Sequence, residues 1–447
     1  MQKPRKGLTG NFYWIFISFL FLFGHALAQK GLNKTQGSLD TLALVQEHDK
    51  LLAEGQKFML PKYFDTTKSK PVKRIVEKDM KEFTHDLFQP HKPYLEDTTD
   101  VKFTKKHYSF VPAIGYSEPT GFAVLISANA AYYTDNKPDS KISNIQTSLT
   151  YSQYQQIIFP VTASIWTKNN TYNWITDFRF LSYPSAIYGL GGRVDPDLGV
   201  NLNFNGVKLH QSLMRCIANN LYLGIGYYLD AYWNIRVTDS LSKTINRIVD
   251  YRLGSEELAS GPSFKFVFDS RLNSINPKQG IYASATFRSN FQALGSNHNN
   301  QILQLDARTY IRFPARSQNV LSFWTLGWFV TGGSAPYLLL PSTGWDDQYN
   351  SGRGINQGRY RGKRMYYQES EYRFNITRNG LLGGVAFLNL ETFSPDLSAT
   401  YNKLFPGYGA GIRLKINKHS GTNLCVDYGF SGSDQKGNVW VNLGEVF

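Results

Sequence analysis

Cysteine is almost absent from this 447-residue chain: there are two, Cys216 and Cys425, too few for a disulfide framework or a thiolate metal site. Charge is sparse too, with Asp, Glu, Lys and Arg at 18% of residues against roughly 25% in soluble domains. After the first thirty residues no apolar run of about 20 residues occurs, which excludes a membrane protein built from spanning helices. No G-x-S-x-G element is present, and the eight histidines, His107 and His210 among them, show no metal-ligand spacing. The residues therefore nominate no catalytic nucleophile, no metal and no cofactor. What the chain has in quantity is aromatic: 28 Tyr, 30 Phe and 8 Trp, with 38 Gly. Diffuse hydrophobicity, with a mean hydropathy of −0.34, leaves a secreted all-β chain or a β-barrel. The net charge of +14 fits anionic lipid head groups better than nucleic acid, because the lysines cluster near the N-terminus and at strand ends.

The chain opens with Lys3, Arg5 and Lys6, then the apolar stretch Phe12 to Phe23, then Ala26-Leu27-Ala28. Basic flank, apolar core and small-residue site predict a secretory signal peptide over 1–28, with Gln29 as the first mature residue. No Cys follows to carry a lipid. Residues 29–101 are polar and lysine-rich, with weakly amphipathic patches around Leu42 to Leu52 and Val76 to Leu87 and prolines at 61, 71, 90 and 93. They read as a short periplasmic extension, partly helical or disordered, ahead of a barrel domain over 102–447.

From about His107 the pattern has period two. Ile281, Ala283, Ala285 and Phe287 fall on one face while Tyr282, Ser284, Thr286 and Arg288 fall on the other. In Leu303 to Phe313, Gln304, Asp306, Arg308 and Arg312 share the face opposite Leu303, Leu305, Ala307, Ile311 and Phe313. Strands are predicted at 107–115, 120–133, 143–154, 157–167, 171–183, 202–217, 220–233, 262–270, 280–290, 301–313, 319–331, 364–376, 382–392, 407–416, 421–430 and 438–447. That count of sixteen is even, so both ends lie on one side. The long connections 184–201, 234–261, 332–363 and 393–406 then all fall on the other side, an asymmetry that a transmembrane barrel shows and a sandwich has no reason to show. Tyr132, Tyr133, Tyr227, Tyr228, Trp233, Trp324 and Trp328 lie near strand ends, as interfacial girdles do, and the last residue is Phe447. The fold predicted is an all-β, sixteen-stranded antiparallel transmembrane barrel.

Three stretches resemble the BamA/TamA-like bacterial surface antigen family of outer-membrane barrels, over about 107–447. Asp269-Ser270-Arg271-Leu272-Asn273 followed by Asn276-Pro277-Lys278-Gln279-Gly280 is similar to the family hairpin between strands eight and nine, with Asp269, Arg271, Pro277 and Gly280 as its marks. Phe405 to Arg413, with Gly407, Gly409 and Gly411, resembles its glycine-rich fourteenth strand, and Val441 to Phe447 its closing strand. The resemblance implies that an arginine-glycine motif in the sixth external loop, 332–363, folds back into the lumen. Gly352-Arg353-Gly354-Ile355 and Tyr360-Arg361-Gly362 are the two places for it, the first with Ile355 where the family has an aromatic. A buried arginine must be paired. Glu371 matches the family's inward acid, and Asn389 stands where the family often has Asp, so the latch reads as Arg353 and Gly354 held by Glu371 and Asn389, with a neutral second contact that should loosen it. A solvated loop whose arginines touch nothing is the alternative.

A seam is the second expectation. Pro112 in the first strand cannot donate to a ladder, and the natural weak line of a barrel is where first and last strands meet, with Gly444 and Phe447 on the far side. The plainer reading is that Pro112 only precedes a short first strand. The resemblance implies an outer-membrane location with both termini periplasmic, no enzymatic activity, and insertion or export of client proteins through the seam. Its partners would be outer-membrane lipids and lipopolysaccharide, client outer-membrane or surface proteins and, since no POTRA domains are recognisable, a separate periplasmic or lipoprotein partner. A passive pore or structural barrel is the rival, and a surface enzyme working through Glu369 and Glu371 a third reading.

Overall fold

Side chains of an extended strand alternate between two faces, and here that alternation sorts apolar from polar residues along sixteen strands. The computed structural model describes residues 77–90, 106–117, 121–191, 199–237, 253–315, 317–395, 403–432 and 437–447. The signal peptide at 1–28 and most of the 29–101 extension lie outside the described residues. The strands are β1 His107–Ser117, β2 Gly121–Tyr132, β3 Ser143–Ser152, β4 Ile157–Trp166, β5 Tyr172–Ile187, β6 Val200–Ala218, β7 Leu221–Val237, β8 Glu257–Asp269, β9 Gly280–Asn290, β10 Asn300–Arg312, β11 Val320–Gly333, β12 Arg364–Asn375, β13 Leu382–Ser394, β14 Phe405–Asn417, β15 Thr422–Ser431 and β16 Asn438–Leu443. Each pairs antiparallel with its sequence neighbours, in the order β1 to β16. The strand order and connection asymmetry are those expected of the sequence, and the result is a nearly closed sixteen-stranded barrel.

The outer face is apolar. Phe110, Ile114, Phe122, Val124, Leu223, Ile225, Phe264, Leu388, Ile412 and Val426 are all exposed there, an area far too large for a water-facing surface and suited to lipid. The inner face carries the charge, with Asp306 paired to Arg308 at 2.6 Å and Asp269 to Arg271 at 3.0 Å, all four buried. Ser284, Thr286 and Arg288 are likewise buried on the lumen side.

At one end of the barrel β5 to β8 run further than the sequence pattern predicts: β5 reaches Ile187, β6 starts at Val200, β7 ends at Val237 and β8 starts at Glu257. Pro184, Gly261 and Pro262 break the alternation there, yet Pro184 stands opposite Asn203, and Gly261 and Pro262 stand opposite Tyr228 and Tyr227, so the ladder continues. At this end of the barrel, the end of the long connections, Leu181, Tyr183, Ile187, Leu202, Phe204 and Tyr232 turn inward and form a core. Three of the aromatics placed in interfacial girdles, Tyr228, Trp324 and Trp328, belong to the lumen instead, Trp328 on the same face as Trp324 and packed against the lumenal core. Trp324 is fully buried and faces Glu369 across the β11–β12 pair, and Tyr228 is buried because Tyr227, its neighbour, takes the outward position. Adjacent residues on a strand cannot share a face.

At the short-turn end, α1 (Met80–Phe88) is started by Asp79, whose carboxylate accepts from Lys81 N and Glu82 N in a capping box. Its polar side meets the barrel: Lys418 donates from its backbone N to Asp79 Oδ2 at 3.0 Å and from Nζ to Glu82 Oε1 at 2.8 Å. Lys415 pairs with Glu77.

The closing strand is shorter than expected. β16 stops at Leu443, and Gly444, at φ +97°, turns the last residues away from the wall. Phe447 is buried inside the lumen, 5.3 Å from the Trp324 ring and 6.2 Å from Tyr310. The terminal aromatic therefore does not sit on a wall strand. Backbone groups explain the turn: Gly444 N still donates to Asn423 O of β15 at 2.7 Å, but Glu445 N donates to Ile275 O in the β8–β9 connection at 2.9 Å.

Candidate functional site: the lumenal loop, the tail and the seam

The long connection between β11 and β12 folds into the barrel. From Ala335 to Arg361 it is almost wholly buried, with Gln348 its one exposed residue. Its first part, Tyr337 to Leu340 with Trp345, completes the apolar core against β5, β6 and β7. Glu257 of β8 receives Tyr337 N at 3.2 Å and Leu338 N at 3.1 Å, which pins this arm to the wall.

The tip is Arg353. Its side chain is fully buried and forms ion pairs with Glu369 and Glu371 of β12 and, at 2.6 Å, with Asp427 of β15. The guanidinium lies 4.0 Å over the Phe387 ring of β13. Three carboxylates from two strands thus converge on one cation. Around them Glu371 also pairs with Arg373, Asp427 with Arg413, and Glu445 of the tail with Arg413 at 2.8 Å. Tyr367 donates its hydroxyl to Glu369.

Backbone access to this site depends on missing side chains. Gly354 has φ +96°, and a Cβ there would run into the Phe430 carbonyl. On the wall, a Cβ at Gly407 would strike the Arg353 carbonyl oxygen, and one at Gly411 the Asp427 carboxylate. The glycine run of β14 is therefore a smooth lane along which the loop tip lies.

Asn389 donates from Nδ2 to the Arg353 carbonyl oxygen at 2.8 Å and so contacts the backbone, not the guanidinium. Asp427, from a strand further on, takes the place the second ion pair would have had. No local pattern in the sequence connects Asp427 to the loop. Its register opposite Gly411 was the available signal.

Arg361 takes a different place. It donates to Tyr337 O at 2.8 Å, lies 4.8 Å over the Tyr337 ring, and bridges Gly191 and Ser342 through its backbone. It braces the entry of the loop against the loop itself and reaches none of the barrel acids that hold Arg353.

The hairpin residues build a floor at the short-turn end. Asn273 Oδ1 accepts from Ile275 N at 2.8 Å and Asn276 N at 3.1 Å, which sets the turn. The same side chains reach out, Asn273 to Ser420 O at 2.7 Å and Asn276 to Gly421 O at 3.1 Å, across to the β14–β15 turn. Asp269 and Arg271 pair, Pro277 is buried, and Gly280 at φ +112° admits the chain into β9.

The seam residues are spread out. Pro112 stands mid-way along β1 opposite Ile126 of β2. β1 and β16 lie against each other, yet among the described residues no backbone pairing joins them. Gly444 is beyond the end of β16, and Phe447 is inside. A cavity of about 340 Å³ borders the seam, lined by Ser127, Gln146, Thr150, Asn356, Trp440 and Asn442 among others. Its polar residues are mostly neutral amides and hydroxyls, set among apolar ones, unlike the charged wall under Arg353.

One group was not legible in the spacing of the histidines. Asp177, His210 and Asp347 offer ligand atoms within 4.8 Å of one another. Lys208 already supplies a cation between the two acids, 3.3 Å from Asp177 and 3.2 Å from Asp347, while His210 bonds Asp230 at 2.9 Å. Cys216 and Cys425 are free thiols.

Fold and site together define a sixteen-stranded antiparallel membrane barrel whose lumen holds its own β11–β12 connection and C-terminal tail. No family model matches the chain, and no curated protein matches it. Among solved structures it is similar to BamA from Haemophilus ducreyi lacking POTRA domains 1–3, at 12% identity over 75% of this chain and 68% of that one, with a TM-score of 0.46. CdiB from Escherichia coli is similar at 11% identity over 76% of this chain, with a TM-score of 0.49, and CdiB from Acinetobacter baumannii at 14% over 77%, with 0.47. The chain spans 60% of the length of each CdiB structure.

Proposed function

We propose that this chain is a non-enzymatic outer-membrane factor that inserts client proteins into the membrane, or exports them across it, through the seam between β1 and β16. The observation that carries the reading is the seam itself: among the described residues fifteen strand pairs are laddered, while β1 and β16 touch without backbone pairing. An edge with free N–H and C=O groups is a template for another strand. Support also comes from the lumen, where the buried loop fills the space a passive pore would need. Glu369 and Glu371, the acids of the enzyme reading, are both bound to Arg353. In this reading both termini face the periplasm, lipids and lipopolysaccharide surround the belt, and Arg353, Gly354, Glu371 and Asn389 act as the latch. A separate periplasmic or lipoprotein partner would meet the short-turn end.

The test joins cysteines at Ile114→Cys and Val441→Cys with a short bis-maleimide in cells, after depletion of the native protein. Loss of other barrels or surface proteins from the outer-membrane proteome, with the barrel itself folded, is expected. A full proteome with the seam bridged would remove lateral gating, and a full proteome after depletion alone would move the protein to a structural role.

A further inference from the structure

β16 has six residues and pairs on one side only, with β15 from Leu424↔Leu443 to Gly429↔Asn438. A strand this short with one laddered edge is held weakly by its backbone. Its inward side chains supply what the backbone does not. Asn438 donates to Asn356 Oδ1 of the lumenal loop, and Asn442 donates to Asn350 Oδ1 of the same loop at 3.2 Å. Asn350 in turn donates from Nδ2 to Val446 O of the tail at 2.9 Å. From the other direction Gln146 of β3 reaches Leu443 O at 2.9 Å. The loop residue at the centre is rigidly presented, because Asp346 accepts from the backbone N of Gln348, Asn350 and Ser351 at 2.9, 3.1 and 2.8 Å. An amide side chain both donates and accepts, so it can stand in for a strand neighbour.

We infer that Asn350 and Asn356 form an amide clasp with Asn442 and Asn438 that holds the last strand against the loop and out of backbone pairing with β1, making the loop a positioning element for the seam. The clasp rests on the seam reading above for its use, but its geometry stands apart from any client. The loop is anchored by Arg353 on β12 and β15, and Arg353 lies between the two clasp residues in the chain. The ion pairs fix the loop, and the asparagines pass that position to β16. Releasing the asparagines leaves β16 free to move onto the open edge of β1.

Direct disulfide formation reads this movement. A cysteine at Val441 is paired in turn with cysteines at Phe110, Pro112 and Ile114, all outward on β1, and the oxidation rate is followed in the purified full chain in detergent. Loss of the two neutral hydrogen bonds to β16 should raise the best rate about tenfold in Asn350→Ala/Asn356→Ala, and loss of one of them about threefold in the strand-side variant Asn442→Ala. Rates within twofold of the parent, in barrels that still migrate as folded in unheated gels, would overturn the clasp. If the loop variant fails to fold, Asn442→Ala decides alone, since it lies outside the loop. A raised rate with client assembly unchanged keeps the clasp and removes the seam as the client route. An unchanged rate removes the clasp whatever the clients do.

Discussion

At the residue scale the lumen is governed by one cation. Arg353 is the shared partner of Glu369, Glu371 and Asp427, and among the described residues Glu369 has no other ion pair. Removing it leaves buried carboxylates uncompensated, which costs about 3–5 kcal/mol. Arg353→Ala should therefore lower the temperature at which the folded gel band disappears far more than Arg361→Ala, whose loss is of hydrogen bonds to carbonyls worth about 1 kcal/mol each. The reverse ranking would make Arg361 the latch. Face assignment is tested in the same way. Ala285, outward and mid-strand between Phe266 and Leu305, should lose about 2–4 kcal/mol when changed to Lys, while Thr150→Lys, opening into the seam cavity, should change folding stability by less than about 1 kcal/mol. Equal losses in urea titrations would mean that the faces are misassigned.

At the scale of elements, the loop and β14 fit because each omits side chains where the other passes. Gly354 is the sharper case, since its φ of +96° and the Phe430 carbonyl both oppose a Cβ. Gly354→Ala should cost about 2–4 kcal/mol, combining backbone strain with overpacking. Ala410→Gly, on the outward face of the same strand, should cost under about 1 kcal/mol. Protease nicking of the loop in detergent checks the cause: the Gly354 variant should be cut within 335–361 while the wall strands stay intact. Cleavage of β14 instead would mean that the strand, not the loop, depends on this glycine. The alternation that marks each strand was legible in the sequence, but the glycines of β14 read only as a family likeness. Their contact with Arg353 is made by a segment about fifty residues earlier.

At the scale of the molecule, the barrel is filled along β5 to β15 and roomy beside β1 to β4 and β16. A barrel of sixteen strands with an empty lumen would conduct. This one should give only small single-channel currents in planar bilayers, and Arg353→Ala should add large flickering openings as the loop loosens. Steady large currents from the parent chain would favour the pore. The same filling explains the C-terminus, where Arg373 donates to Phe447 O at 2.8 Å and Trp324 packs on its ring.

The sequence by itself determined the wall. Period-two alternation, an even strand count and unequal connections follow from local backbone geometry and from which face meets lipid, so they are written along each strand. It also placed Asp269 beside Arg271 and Asp306 beside Arg308, since residues two apart share a face. Only the tertiary structure decided what fills the lumen. That Asp427 rather than Asn389 takes the Arg353 guanidinium, that Phe447 turns inward after Gly444, and that asparagines join the loop to β16 are contacts between segments roughly 70 to 100 residues apart for the most part. Their partners are chosen by closure of the barrel, which no local pattern encodes.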